Sequence, residues 1–380
     1  VRRGGPAVVL YAHSSSGRYG ADRQLWLIAT RLDPGRYTPL VVLPTEGELA
    51  GDLRAGGVEV LVRPLAVLRR DSGLAGAAAS ALRDPVGLGA LARRRRVSLV
   101  HSNTSVVLSG ALAATIARVP HVWHVREIYA RFARAWPLHR LLLGTASALP
   151  CVSAATAAQF RPRDPARVLH DGLALEPRRA PREAARAALG LTGDVPVVAV
   201  LGRISEWKGQ DVLVRALAEP DLAERGAIGL IAGEAWPGAE RRARRVLELA
   251  RTLGVSDRLA LVGFRDDLEN VLGAADVIAV PSTAPDPLPG AAIEAAAAGC
   301  AVVASDHGGL PEILRDGETG RLVAPGDPLA LAVAVAELLD DPAARRRLGT
   351  AAAGEVRARF SAERLLERIQ ALYDELRARA

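Results

Sequence analysis

Lysine is almost missing from this chain. Among 49 basic side chains in 380 residues, only Lys208 is a lysine, and there is no methionine at all. Arginine carries the remaining positive charge. A chain this committed to arginine keeps an ammonium where a compact, flexible point charge serves better than a planar fork. The competing reading is a solvated surface lysine. Cysteine is scarce too, with Cys151 and Cys300 far apart in apolar settings. That spacing excludes a disulfide framework or a thiolate metal cluster, and both residues are expected as buried small hydrophobes. Aromatics make up 4%, and no helix-turn-helix, RNA-binding or zinc signature accompanies the arginines, so nucleic acid is excluded as a partner. No apolar run approaches the ~20 residues needed to span a bilayer. The opening run Ala7-Val8-Val9-Leu10-Tyr11 is too short for a signal peptide, so a cytoplasmic location is expected.

What is present describes a globular protein: 49% hydrophobic and 24% charged residues. The length suits two or three domains, each with a full core. The net charge of +7 is unevenly spread. Residues 1–175 hold 23 arginines against 11 acidic groups, and the remainder 26 basic against 31 acidic groups. Such asymmetry points to an anionic ligand or surface for the first half, and an anionic membrane face is one such partner. The stretch Arg131-Phe132-Ala133-Arg134-Ala135-Trp136 interleaves cations and aromatics in a way that suits a membrane interface. The run Arg93 to Arg96 reads alone as a solvated helix end.

Apolar runs of strand length alternate with amphipathic stretches in both halves, which predicts parallel sheets covered by helices. In the first half, strands are expected at Val8–Tyr11, Pro39–Leu43, Val58–Val62, Leu99–His101, Val122–His124 and Ala148–Val152. The pattern restarts with five strands at Val197–Leu201, Ile228–Ala232, Leu259–Val262, Val277–Val280 and Ala301–Ala304. The expected organisation is therefore two Rossmann-like, doubly wound α/β domains, 1–175 and 195–360, joined by a linker at 176–194. A helix over 361–380 carries Leu365, Leu366, Ile369, Leu372, Tyr373 and Leu376 on one face. Ligand is expected in a cleft between the domains, at the strand ends.

Two constellations carry chemistry. The first is Gly202-Arg203-Ile204-Ser205-Glu206-Trp207-Lys208-Gly209, where an apolar strand ends in glycine and two cations follow in one loop before a helix. Such a loop suits an anion such as a diphosphate. The second runs from Pro281 through Asp286, Pro287, Leu288, Pro289, Gly290 and Ala291 to Glu294. Glu294, one turn inside the predicted helix, points back toward Asp286 because helical Cα–Cβ bonds tilt to the N-terminus. Its small apolar neighbours favour a buried, ligated glutamate over a solvated one.

With these residues in view, the chain resembles retaining glycosyltransferases of the GT-B fold, glycosyltransferase family 4. The resemblance rests on Gly202-Arg203 with Lys208-Gly209, on Asp286 and Glu294 at the spacing of the family's acidic pair, and on Asp306-His307-Gly308-Gly309-Leu310-Pro311-Glu312. It rests also on the glycine loop Ser14-Ser15-Ser16-Gly17-Arg18-Tyr19-Gly20 and on His124 in Trp123-His124-Val125-Arg126-Glu127. Asp286 stands where the family has glutamate. Pro289 stands where it usually has glycine, leaving Gly290 and Ala291 to supply backbone donors.

The resemblance implies a hexosyltransferase that takes a UDP- or GDP-linked sugar to a saccharide, lipid-linked or natural-product acceptor, as in cell-envelope polysaccharide assembly. It implies no cofactor and no metal, and the sequence has no Asp-x-Asp motif. Arg203 and Lys208 would neutralise the diphosphate, Glu294 would bind the ribose hydroxyls and Asp286 the donor sugar. Gly263, Phe264 and Arg265 would line the base pocket, and Gly17 and Gly20 would allow close approach of the first loop. His124 would lie near the transferred sugar on the acceptor side, and the C-terminal helix would cross back to the first domain. Arg126 and Glu127 are either a local ion pair or acceptor contacts. Two rival readings remain: a nucleotide-sugar epimerase on the same scaffold, and a catalytically silent binding subunit.

Overall fold

The computed structural model describes residues 5–68, 85–129, 136–236 and 238–379. The chain divides into two compact units, 1–174 with 361–380, and 175–360.

The N-terminal unit is built on a five-stranded parallel sheet in the order β3-β2-β1-β4-β5. These strands are β1 (Ala7–Ala12), β2 (Tyr37–Leu43), β3 (Glu59–Val62), β4 (Leu99–Ser102) and β5 (His121–Trp123). Val9, Leu10, Val41, Val42, Leu99 and Val100 have no exposed surface, as expected of a sheet covered on both faces. A second parallel pair, β6 (Leu149–Cys151) with β7 (Ala166–Val168), follows. The helix Gly20–Arg31 begins with a capping interaction, the backbone N–H of Tyr19 donating to Asp22 Oδ2 at 3.0 Å.

The C-terminal unit carries six parallel strands: β8 (Val197–Leu201), β9 (Ile228–Ala232), β10 (Leu259–Leu261), β11 (Val277–Val280), β12 (Val302–Ser305) and β13 (Arg321–Val323). Their order, β10-β9-β8-β11-β12-β13, reverses direction between β8 and β11. In open α/β sheets, ligands bind outside the carboxyl ends of the strands flanking such a switch point. In the N-terminal unit the corresponding point lies between β1 and β4.

The expected α/β architecture is present, with differences at its margins. Residues 176–194, expected as a linker, lie within the C-terminal unit. Their helix Arg182–Ala188 packs on the helix Leu268–Ala274, and Arg182 Nη1 bonds Asp276 at 2.7 Å. Proline and arginine richness suggested a connector, whereas the arginines are anchors. The strands β7 and β13, three residues each, and the helix Pro342–Arg359 were not expected from the sequence. Three residues are too few to show a period, and an alanine- and arginine-rich helix shows little apolar contrast.

The helix Ala362–Arg379 completes the core of the N-terminal unit, where Leu365, Ile369, Leu372, Tyr373 and Leu376 join Tyr11, Ile28 and Tyr37. Ile369 is fully buried there. Ile369→Ala is expected to lower the unfolding free energy of this unit by about 2–5 kcal/mol. The measurement is a urea transition followed by a probe in that unit, and an unmoved midpoint would contradict the packing.

Candidate active site

In the C-terminal unit the strand-exit loops after β8, β9, β11 and β12 interlock. Lys208, in the loop leaving β8, donates from Nζ to Asp286 Oδ2 at 2.6 Å, in the loop leaving β11. Their side chains are 22% and 8% exposed. The pair therefore spans the switch point of the sheet. Ser282 Oγ also donates to Asp286 Oδ2, at 3.4 Å. Two glycines make the approach possible. Gly209 has φ +74°, and a Cβ there would stand 1.8 Å from the carbonyl oxygen of Pro281. Gly308 has φ +60°, and a Cβ there would stand 2.3 Å from the carbonyl oxygen of Asp286. Only glycine satisfies both the backbone angle and the space. The neighbouring Gly309 N–H donates to Asp286 O at 2.8 Å, which fixes the loop carrying the carboxylate.

Arg203 lies beside this pair in sequence, and its guanidinium stacks on the ring of Trp236 at 3.0 Å from the centroid. The loops meet through the backbone, Ile204 N–H donating to Glu234 O at 2.9 Å. Trp236 was not anticipated from the sequence. Its signal was present, an aromatic four residues beyond the end of β9, but no spacing rule linked it to Arg203. Such stacking orients a guanidinium.

Pro289 caps the helix Gly290–Ala297 in an extended conformation, so Gly290 and Ala291 take the first two helical positions. N–H groups at those positions have no intrahelical partner and face an incoming anion. Leu288 is buried. Glu294 follows in the second turn and is half-buried, less enclosed than its alanine neighbours suggested. Phe264 N–H donates to Glu234 Oε1 at 3.4 Å, and Gly263 has φ +68°. The guanidinium of Arg265 is taken by Asp267, its Nε donating at 2.7 Å, so Arg265 faces its own loop.

The N-terminal unit gathers a second polar cluster at its own switch point. His13 follows β1 and Asn103 follows β4, and Asn103 Nδ2 donates to His13 Nδ1 at 3.2 Å. His13 Nε2 then carries the hydrogen and donates to Asp22 Oδ1 at 2.8 Å. Burial pushes the Asp22 carboxyl up, but bonds from His13, Ser15 and the Tyr19 amide outweigh it and hold it below the usual range. None of His13, Asp22 or Asn103 was singled out from the sequence, because the partners lie up to 90 residues apart.

His124 is wholly buried and stacks on His101, ring centroids 5.4 Å apart at 20°. Burial, reinforced by the Arg126 charge and by His101, holds its imidazole well below 6.5 and therefore neutral. Arg126 and Glu127 do not pair with each other through their side chains. Arg126 Nη1 pairs with Asp171 at 2.5 and 2.6 Å and its Nε donates to Asn103 O at 2.9 Å. Glu127 accepts from Ser105, side chain and amide, and from the Arg126 N–H at 3.0 Å. Burial pushes the Glu127 carboxyl up. Of the two alternatives for these residues, the local ion pair is thus replaced by two separate anchorages. Gly17 and Gly20 have negative φ, with no tight contact at the place of a Cβ, so the protein itself does not demand glycine at either position. Residues 131–135 of the expected membrane stretch lie outside the described residues, and Trp136 opens the helix Trp136–Leu143.

Cys151 and Cys300 are free and buried. Among the described residues, no group of three His, Cys, Asp or Glu could hold a metal ion, and no helix is long and apolar enough to cross a membrane.

Residues 181–355 match the model of the family described as glycosyl transferases group 1. The chain is 38% identical over 198 residues to a D-inositol 3-phosphate glycosyltransferase of Corynebacterium diphtheriae, the match covering 50% of this chain and 45% of that protein. It is 41% identical over 201 residues to the enzyme of the same name from Nocardia farcinica, covering 50% and 44%. The match thus spans less than half the length of these curated relatives. Over nearly the full chain the fold matches the crystal structure of Anabaena Alr3699/HepE in complex with UDP-glucose, with TM-score 0.84, 25% identity and coverage of 97% and 100%.

Gly209→Ala is expected to lower the unfolding free energy of the C-terminal unit by about 1–3 kcal/mol, since the Cβ would force the loops leaving β8 and β11 apart. A urea transition followed by a probe in that unit measures this, and an unmoved midpoint would contradict it. A second expectation concerns acid. Burial lowers His121 to about 3 and His139 to about 4. Unfolding lets both protonate below the ordinary value of 6.5, so the stability they contribute is complete above that pH. It is lost progressively as the pH falls toward 4 and 3. Urea midpoints between pH 7 and 4 should fall, and His139→Gln should flatten the slope.

Proposed function

We propose that this chain, a GT-B-fold relative of glycosyltransferase family 4, transfers a hexosyl unit from a UDP-linked donor to a hydroxyl acceptor with retention of configuration. The observation that carries the reading is the Lys208–Asp286 pair across the switch point of the C-terminal sheet, with Arg203 beside it. In this reading the diphosphate lies against Lys208, Arg203 and the N-terminus of the helix Gly290–Ala297. Asp286 holds Lys208 in place before the donor arrives and accepts hydrogen bonds from the sugar hydroxyls afterwards. Glu294 binds the ribose, and the backbone around Gly263 and Phe264 borders the base.

The chemistry follows from charge. As the bond between the anomeric carbon and the diphosphate oxygen breaks, negative charge grows on that oxygen and positive character on the sugar ring. Two preorganised cations stabilise the oxygen, typically by a few kcal/mol each. The acceptor hydroxyl then bonds to the anomeric carbon on the face the diphosphate leaves. Its proton passes to the departing phosphate oxygen, giving the glycoside and UDP. His124, neutral and buried, serves as a hydrogen-bond donor to the sugar rather than as a charge. The acceptor is assigned to the N-terminal unit, where Arg126 and Glu127 lie.

The curated relatives are named for D-inositol 3-phosphate, so a phosphorylated polyol is the first acceptor to test, followed by lipid-linked saccharides. A membrane-borne acceptor has one specific observation in its favour. Leu138 and Leu141 are 73% and 63% exposed on the helix Trp136–Leu143, in the more basic half of the chain, a combination suited to an anionic bilayer surface.

Purified protein is expected to release UDP from UDP-glucose in the presence of a competent acceptor, and UDP is expected to raise the melting temperature more than GDP. Release of neither nucleotide over the acceptor panel would falsify the transferase reading. Lys208→Ala should lower kcat/KM by about 10²–10³ in protein still folded at the assay temperature, although the Asp286 carboxylate left unpaired lowers the melting temperature. Binding to phosphatidylglycerol vesicles should be lost in the double variant Leu138→Ser, Leu141→Ser; a wild type that never sediments with those vesicles would remove the membrane proposal alone.

A further inference from the structure

Tyr373 is the polar exception on the apolar face of the helix Ala362–Arg379. It is fully buried among Leu372, Leu376, Tyr11 and Tyr37, where phenylalanine would fill nearly the same volume. A buried hydroxyl is costly unless it is bonded, and this one makes two bonds. Tyr373 Oη lies 2.6 Å from His101 Nδ1 and 2.9 Å from Tyr11 Oη. His101 in turn is the ring on which His124 stacks.

The bonding pattern fixes where the hydrogens lie. If Tyr11 donates to Tyr373 and Tyr373 donates to His101 Nδ1, every group in the chain is satisfied except the His101 Nε2 hydrogen. In the reverse direction, both the Tyr11 hydrogen and the His101 Nε2 lone pair lack partners. The first arrangement leaves fewer buried polar groups unpaired, and it makes His101 the Nε2–H tautomer. At His124, Nδ1 faces Arg126 Nη2 at 3.5 Å. A guanidinium can only donate, so Nδ1 accepts and the hydrogen is on Nε2. Among the described residues, the Nε2 atoms of His101 and His124 are buried with no hydrogen-bond partner.

We propose that Tyr373 is a positioning residue for His124: its hydroxyl fixes the tautomer and rotation of His101, and the His101 ring is the platform that aims the His124 Nε2–H at the substrate. The proposal rests on the assignment of His124 to the sugar in the reading above. Its consequence is that a residue from the far end of the chain, with no contact to substrate, sets the geometry of a donor at the reaction centre. Positioning errors of this kind act on turnover more than on donor binding.

The test compares Tyr373→Phe and His124→Ala in the full-length protein, with kcat and the donor KM measured separately. Histidine tautomers are read from nitrogen chemical shifts of 15N-histidine-labelled protein. Tyr373→Phe is expected to lower kcat about tenfold, with the donor KM within about twofold, and to turn His101 from a single Nε2–H tautomer into a mixture. Undiminished kcat in Tyr373→Phe beside an inactive His124→Ala overturns this proposal alone. Undiminished kcat in His124→Ala overturns the role of His124 itself and this proposal with it. Should Tyr373→Phe fail to fold, the unmodified protein decides, because an Nδ1–H tautomer at His101 is incompatible with the proposal.

Discussion

The C-terminal unit depends on one contact, the ion pair between Lys208 and Asp286. The two groups leave different strands, β8 and β11, and meet where the sheet changes winding direction. Each is mostly withdrawn from water, so either alone would be an uncompensated charge with a considerable desolvation penalty. Together they let two loops close on one another. Gly209 and Gly308 are the steric conditions of that closure, and the Gly309–Asp286 bond holds it. The site is electrostatically balanced before any ligand arrives, and under the transferase reading a diphosphate enters by exchange, taking over the ammonium from a carboxylate. Arg203 is held beside this pair on the face of Trp236.

The N-terminal unit solves the same topological problem with neutral groups. Its switch point is bridged by the Asn103–His13 bond, and the neighbouring histidines are kept uncharged by burial. Close to that point Arg126 is tied to Asp171 and Glu127 to Ser105. Under the transferase reading, one unit offers cations to a ligand, and the other offers neutral donors and acceptors. That division suits an anionic donor for the first and a hydroxyl-rich acceptor for the second.

Much of this could be read from the amino-acid order. The runs of β8 and β11, and Ala301–Ala304 at β12, are unbroken stretches of valine, alanine, isoleucine and leucine, and continuous apolar character over four or five residues marks a strand buried on both faces. Lys208 stood out by rarity, and Asp286 by its place among prolines before a helix. What stayed hidden has physical reasons. Trp236 and Arg203 meet through adjacent strands, so nothing local in sequence joins them. His13, Asp22 and Asn103 are individually ordinary and gain meaning only when β1 and β4 lie side by side. The helix Pro342–Arg359 hides because alanine and arginine alternate with little contrast, and Arg182 looked like linker composition until Asp276 was placed beside it.

The dependence of the N-terminal unit on Leu365, Ile369, Leu372, Tyr373 and Leu376 has a consequence for biosynthesis. A ribosome delivers residues 5–174 long before residues 361–379, yet the earlier segment lacks one wall of its interior until the later one emerges. The first unit must therefore wait, incompletely closed and with apolar surface uncovered, while all of 175–360 is translated and can fold ahead of it. Domains usually mature in order of synthesis; of these two units, the one begun earlier is the one finished later.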